Sequence, residues 1–262
     1  MDLKRYQKLA EQVARDAGNL LLTHLHGKRT IEYKSEIDPV TEVDKASERL
    51  LTEFFRKQTP EIDILAEEES NTDTGASLRW VIDPLDGTVN YAHKIPAFCV
   101  SVGLELDRRP LVGVVFDPNR DELFSATAES SATCNGQPIH VSATDTLNRA
   151  VLATGFPYDK RVNPDNNIDH FGEVALASQG IRRFGAAALD LCWTAMGRFD
   201  GYWELRLSPW DVAAGRLIVE QAGGRVTDFA GNPTDSFAGN ICATNGLFHD
   251  DLLAVLARNR HW

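Results

Sequence analysis

An apolar run that halts abruptly on charge is the most restrictive feature of this chain. Trp80-Val81-Ile82 leads straight into Asp83-Pro84-Leu85-Asp86-Gly87-Thr88-Val89-Asn90. The run from Leu78 to Ile82 reads as a buried strand, so both acids stand where a strand leaves a core. Pro84 fixes the backbone between them and Gly87 frees the turn behind them, which lets two carboxylates address one small volume. Like charges held that close in a low-dielectric site repel by several kcal/mol. Mg²⁺ is the natural counter-charge, because hard divalent cations take oxygen ligands. The segment is expected to be half of a metal-dependent phosphate-ester site.

At 262 residues and 43% hydrophobic, the chain is long enough to bury a large core. A net charge of −11 disfavours nucleic acid or an anionic membrane as partner, since binding there needs a basic surface. A small phosphate ester is still accessible if metal ions supply the positive charge. Cys99, Cys134, Cys192 and Cys242 are far apart and form no CxxC pair, so they read as buried free thiols of a reducing compartment. The N-terminus leads into a polar-faced helix, unlike a signal peptide, and no apolar run approaches the ~18 residues of a membrane span. The expectation is a soluble, cytoplasmic protein.

Apolar residues from Leu3 to Leu21 recur at helical spacing, predicting a first helix that ends near Gly27. A polar loop from Lys34 to Pro39 and a helix opening at Thr41-Glu42-Val43-Asp44 follow. Ile62 to Ala66 is a short strand running into Glu67-Glu68-Glu69. Phe98 to Leu106, Leu111 to Phe116 and Glu122 to Ala126 read as an antiparallel meander. The Asn- and Pro-rich stretch 158–168 is the candidate mobile loop. Ala186 to Met196 and Val212 to Ala222 are helical, Gly201 to Leu205, Arg225 to Phe229 and Ile241 to Thr244 are strands, and a helix from Leu247 closes the pattern. Blocks of helix and strand without repeats or a linker imply layered α and β elements in one domain, 1–262.

Four carboxylates carry the chemistry. Glu67 ends a strand, Asp83 and Asp86 flank Pro-Leu, and Asp211 stands in Pro209-Trp210-Asp211-Val212-Ala213-Ala214-Gly215, where a helix begins. Asp211 also reads as a helix N-cap, and Asp-Pro and Asp-Gly are common turn dipeptides. The coincidence of strand ends and a helix start is what open sheets use to build sites. A two-ion site would use the acids economically. Asp83 would bridge, with Glu67 and the Leu85 carbonyl on one ion and Asp86 and Asp211 on the other. Two such ions activate a water and stabilise a leaving alkoxide. The Thr88 hydroxyl is placed to pass a proton from that water toward Glu67, and Gly87 and Thr88 offer backbone N–H groups to phosphate oxygens.

Asp83-Pro84-Leu85-Asp86-Gly87-Thr88, Ala66-Glu67-Glu68 and Pro209-Trp210-Asp211-Val212-Ala213-Ala214-Gly215, in this order and spacing, resemble the inositol monophosphatase family. Lys34-Ser35-Glu36-Ile37-Asp38-Pro39-Val40-Thr41-Glu42-Val43-Asp44 resembles that family's Lys-containing loop and the Val-Thr-x-x-Asp element after it. The resemblance implies a five-layer αβαβα sandwich, usually dimeric and inhibited by lithium. It implies hydrolysis of myo-inositol monophosphates with two or three Mg²⁺ ions. Glu67, Asp83, the Leu85 carbonyl, Asp86 and Asp211 match metal ligands. Thr88 matches the threonine that orients the attacking water, and Asp44 the aspartate that supports it. Gly185, Ala186, Ala187 and Glu204 match the polyol pocket, and Lys34 the loop over the metals. Asp44 also reads as part of a Thr41–Asp44 capping box, and Glu204 as an exposed strand acid. Ala66, Val89 and Ala186 depart from residues that many members carry, and Glu69 adds a third acid.

Two other chemistries compete. Leu85-Asp86-Gly87-Thr88 is similar to the aspartyl-phosphate motif of haloacid-dehalogenase phosphatases, but the preceding acid lies one residue too far away and Asp211 goes unexplained. On the same fold, fructose-1,6-bisphosphatase is the enzymatic alternative. A regulatory binding protein that reuses the fold is the non-enzymatic one.

Overall fold

The computed structural model describes residues 1–25, 31–35, 38–70 and 73–258, with side chains outside 26–41. Seven strands form the larger sheet: β3 (Asp63–Ala66), β4 (Leu78–Asp86), β5 (Cys99–Leu106), β6 (Arg109–Asp117), β7 (Glu122–Thr127), β8 (Ser130–Cys134) and β9 (Gln137–Pro138). They lie in sequence order, and only β3 and β4 are parallel. Most of the sheet is therefore the expected meander, built from strands joined by tight turns. A five-stranded sheet in the order β11-β10-β12-β14-β13 lies beyond it. Its strands are β10 (Val151–Thr154), β11 (Gly180–Arg182), β12 (Gly201–Leu205), β13 (Arg225–Thr227) and β14 (Asn240–Thr244).

Side-chain alternation along these strands sorts the helices into layers. Val112, Val114 and Phe116 of β6 pack with Ala10, Val13, Ala17 and Leu21 of α1 (Leu3–His24) and with Leu51 and Phe55 of α2 (Glu42–Gln58). Val115 faces the opposite way, into a core with Leu189 and Leu191 of α5 (Ala187–Ala195) and Leu217 and Ile218 of α6 (Pro209–Gln221). That same core takes Tyr202 of β12 and Ile241 and Ala243 of β14. Their neighbours Trp203 and Cys242 point outward to α4 (Ile168–Ala177) and α7 (His249–Leu256), meeting Val174, Leu252 and Val255. The order is αβαβα, as the family resemblance implies.

Close approach fixes where α6 lies. A Cβ on Gly113 would come within 2.5 Å of the Ala214 carbonyl oxygen and 3.1 Å of its Cα, so the helix rests directly on the strand. That contact aims the α6 N-terminus at the ends of β3 and β4.

Several boundaries differ from expectation. The first helix closes at His24, and Gly27 is outside the described residues. The polar stretch from Lys34 to Pro39 falls largely on a hairpin, β1 (Ile31–Ser35) against β2 (Asp38–Thr41). Antiparallel pairing satisfies the backbone there despite polar side chains. Glu36 and Ile37, and the side chains of Lys34 and Thr41, lie outside the described residues. The strand β13 and the last helix are shorter than predicted, and β14 begins one residue earlier, at Asn240. The helix α3 (Thr88–Ala92) and the elements from β8 to β11, α4 included, had no sequence signal strong enough to place them.

His249 is a buried titratable group away from the cleft. Its Nε2 lies 2.9 Å from Thr227 Oγ1 and its Nδ1 2.8 Å from Thr244 Oγ1. Burial, with Arg225 nearby, pushes its pKa down to about 4. Between that value and the ordinary ~6.5, the unfolded chain binds a proton that the folded one refuses. Stability is therefore lost as pH falls from about 6.5 to 4. Urea unfolding of wild type and His249→Gln across that window should show a difference that shrinks toward low pH, on the order of 2 kcal/mol.

Candidate active site

A β-bulge, rather than the turn at Gly87, brings the two central acids together. Asp83 pairs with Ser101, then the register shifts so that Asp86 pairs with Cys99. Residues three apart on a regular strand point to opposite faces; one extra residue puts them on the same face. Pro84 suits the bulge, having no N–H to leave unpaired. The Asp83 carboxylate closes the turn by accepting from the Leu85 N–H at 3.0 Å.

Three residues on one face of α2 hold this strip. Thr88 Oγ1 lies 3.0 Å from Asp44 Oδ1 and 3.1 Å from the Leu85 carbonyl oxygen. Ser47 donates to the Pro84 carbonyl at 2.8 Å. The buried Glu48 carboxylate accepts from the N–H groups of Glu68, Glu69 and Ser70 at 2.6–2.9 Å, fixing the turn that carries Glu67. Positions 44, 47 and 48 follow the i, i+3, i+4 rule. Ser47 and Glu48 escaped sequence reasoning, because a carboxylate bound to backbone twenty residues away leaves no local motif.

Asp211 is not the N-cap of α6. Ser208 takes that place, Pro209 is the first helical residue, and Asp211 stands at the third position of a capping box. The Ser208 N–H donates to Asp211 Oδ2 at 2.7 Å. Ser208-Pro209 was the available signal.

Glu67, Asp83, Leu85, Asp86, Gly87, Thr88 and Asp211 line one cleft of about 320 Å³, together with Gly185, Ala187 and Glu204. The expected residues are thus assembled in the cleft, apart from Lys34, whose side chain lies outside the described residues, and two exceptions. Asp44 sits behind Thr88. Ala186 is turned inward, where a Cβ on Gly87 would lie 3.3 Å from its methyl, so the packing of the turn rather than the cleft fixes it. Arg183, Arg206, Tyr158 and the 155–157 segment complete the wall. None was anticipated as a site residue; Gly155-Phe156-Pro157 and Arg183 follow β10 and β11, which carried no sequence signal either.

The acids disturb one another strongly. Burial pushes Asp83 well above the ordinary carboxylate range, and Glu67, Asp86 and Asp211 add to the shift. Asp211 is raised likewise by burial, Asp86 and Glu67. Asp86 rises to about 6 through burial, held back by N–H groups of Ala188 and Ala187 at 2.7 and 3.1 Å. As placed, no three acids among the described residues stand close enough to make a finished metal cage, in keeping with like charges facing each other. The donor set itself is all oxygen, lines one cleft and is in excess of positive charge, which fits a hard divalent cation.

Glu204 lines the same cleft, where burial brings it to about 7, opposed by a 2.5 Å hydrogen bond from Tyr202 and by Arg183. It is a cleft acid, not an exposed strand acid. Gly155 makes room for it, since a Cβ there would collide with both carboxylate oxygens. Because the obstacle is the end of a flexible side chain, Gly155→Ala should cost less than about 1 kcal/mol of stability. A crystal structure of that variant should show Glu204 turned out of the cleft. An unmoved carboxylate would contradict the packing argument.

The comparisons agree with the geometry. The profile of the inositol monophosphatase family matches residues 2–261. Inositol-1-monophosphatase of Synechocystis is 42% identical over 264 residues, covering 100% of this chain and 92% of that protein. The Nus factor SuhB of Escherichia coli is 41% identical over 240 residues, covering 90% of each. The solved inositol monophosphatase of Anabaena superposes with a TM-score of 0.90 at 45% identity, covering 98% of this chain and 96% of that one. The chain belongs to the inositol monophosphatase family, hydrolases that act on phosphate monoesters.

Proposed function

We propose that this protein hydrolyses the phosphate ester of a small polyol, myo-inositol monophosphate foremost, by direct attack of water with Mg²⁺ bound. The observation that carries the reading is the gathering of Glu67, Asp83, Asp86 and Asp211 in one cleft that Glu204 also lines. Glu67, Asp83, the Leu85 carbonyl, Asp86 and Asp211 would hold the ions, and the family depends on Mg²⁺. When bound, Mg²⁺ supplies the positive charge that acidifies water and stabilises the phosphoryl and leaving oxygens. The chain's own residues do the rest.

Thr88 has one hydroxyl proton and two acceptors, Asp44 and the Leu85 carbonyl. With that proton committed, its lone pairs are free to accept from a water, which orients the attacking oxygen. Asp44 then receives the proton that Thr88 relays, so the relay runs to Asp44 rather than to Glu67. The first N–H groups of α3, from Gly87 and Thr88, offer donors to phosphate oxygens. Gly185, Ala187 and Glu204 form the side that meets the alcohol, with the Glu204 carboxylate accepting from a hydroxyl.

The outer wall supports a bisphosphate as a second substrate. Arg183 and Arg206 line the cleft mouth, and Lys160 lies within electrostatic range of both Arg183 and Glu204. Cations gathered at the mouth of an otherwise acidic protein would receive a second anionic group on the alcohol.

A kcat/KM panel over inositol, glycerol, fructose and adenosine phosphates with Mg²⁺ tests the reading. Inositol monophosphates should lead, and Thr88→Ala should lower kcat by about 10²–10³-fold on every substrate, as lost positioning does. Arg183→Ala should lower kcat/KM about tenfold for fructose 1,6-bisphosphate and less than twofold for inositol 1-phosphate. Absence of phosphate release from every polyol phosphate would refute the proposal and favour a binding protein on this fold.

A further inference from the structure

Two fasteners tie the alcohol-facing wall of the cleft to the turn that carries the acids, and only one of them belongs to the acid cluster. The wall segment runs from Phe184 to Ala188 into the start of α5. At its far end, Asp86 accepts from the N–H groups of Ala187 and Ala188. At its near end, Asn90 of α3 is 5% exposed and donates from Nδ2 to the carbonyl oxygens of Phe184 and Ala97, both at 2.7 Å, with the Gly185 carbonyl at 3.5 Å. Carbonyl acceptors on every side mean that this end of the amide is the NH₂ group. Gly87 lies at the same junction, where a Cβ would come 2.9 Å from the Ala97 carbonyl oxygen. The segments 87–90, 97–98 and 184–187 therefore meet through backbone, and the Asn90 amide is their shared donor.

We propose that Asn90 is a positioning residue for polyol recognition: it sets the spacing between the wall at Gly185 and the phosphate end of the cleft, and takes no part in holding metal. The proposal rests on the cleft being a polyol-phosphate site. Asn90 is neutral and bonds to no acid of the cluster among its recorded partners, so its removal leaves the charge balance of the turn unchanged. What it leaves behind is two carbonyls without their donor, and a pair so placed must find water or move apart. Movement of Phe184 shifts Gly185, the next residue, which lines the cleft. The rival is a purely structural role, because the Phe184 ring already packs against Trp193 and Phe199, with centroids 5.0 and 5.8 Å away.

The test uses full-length Asn90→Ala and Asn90→Leu, the latter of near-equal size, neutral and lacking the donor. Steady-state kinetics on inositol 1-phosphate and on p-nitrophenyl phosphate, which carries no polyol, should separate the roles. KM for the inositol ester should rise about tenfold, the cost of one lost buried hydrogen bond. KM for the aryl ester and the Mg²⁺ concentration for half-activation should move less than twofold. Amide exchange read by mass spectrometry should quicken about tenfold across residues 183–187 and stay unchanged across 83–88. Equal losses on both esters, a several-fold shift in Mg²⁺ activation, unchanged exchange at 183–187, or failure of both variants to fold would each overturn the proposal. If wild type shows no preference for the inositol ester, the polyol reading fails, and the exchange measurement still decides whether Asn90 holds the wall.

Discussion

Four acids lining one cleft, with Asp83 and Asp86 buried and Glu67 and Asp211 partly so, are the constraint around which this structure is arranged. A chain gains nothing in stability from assembling them. Burial and mutual repulsion raise Asp83, Asp86 and Asp211 together, and each would be better solvated apart. They are held because the surrounding framework over-determines their positions, a common arrangement at functional sites.

The framework is a set of hydrogen bonds from helix side chains, most of them ending on backbone groups. One face of α2 secures three things at once: the hydroxyl of Thr88 through Asp44, the bulge through Ser47, and the turn after β3 through Glu48. The larger sheet supplies Glu67, Asp83 and Asp86 from adjacent parallel strands. Helix α6, seated on Gly113, brings Asp211 from the other side. Asp86 belongs to both systems, since it lines the cleft and also caps the start of α5. The two sheets and the helices between them thus meet at a single cleft, lined by the ends of β3 and β4 and the starts of α5 and α6.

Much of this was legible in the residues. The acids were readable because each sits beside a local signal: a strand end, Asp-Pro, Asp-Gly, or a helix start. The layered class and the meander followed from apolar runs separated by turns. What was not legible is the non-local part. The bulge depends on how β4 pairs with β5, which Asp83-Pro84-Leu85-Asp86 alone does not dictate. Glu48 acts on backbone far along the chain, and its own position in α2 looks like any helical glutamate. The assignment of Asp211 as an N-cap gave way to Ser208 because Pro209 favours the first helical position. The Lys34–Pro39 stretch looked like a loop because its side chains are polar, whereas a two-stranded hairpin is held by its backbone. The identity of the alcohol is the least legible feature, since it depends on wall geometry set by Gly155, Gly185 and Asn90 rather than by a chemical motif.

As a proposed cation site, the acid cluster concentrates negative charge at a cost to the metal-free fold. Thermal unfolding of wild type and Asp83→Asn, with and without Mg²⁺, tests it most directly. Asparagine can still accept from the Leu85 N–H, so the substitution removes charge and little else. Without metal, the variant should melt at a higher temperature than wild type. Millimolar Mg²⁺ should raise the wild-type midpoint by several degrees through binding to the folded state, and barely move that of the variant. A wild-type midpoint indifferent to Mg²⁺, or a metal-free variant less stable than wild type, would contradict the account.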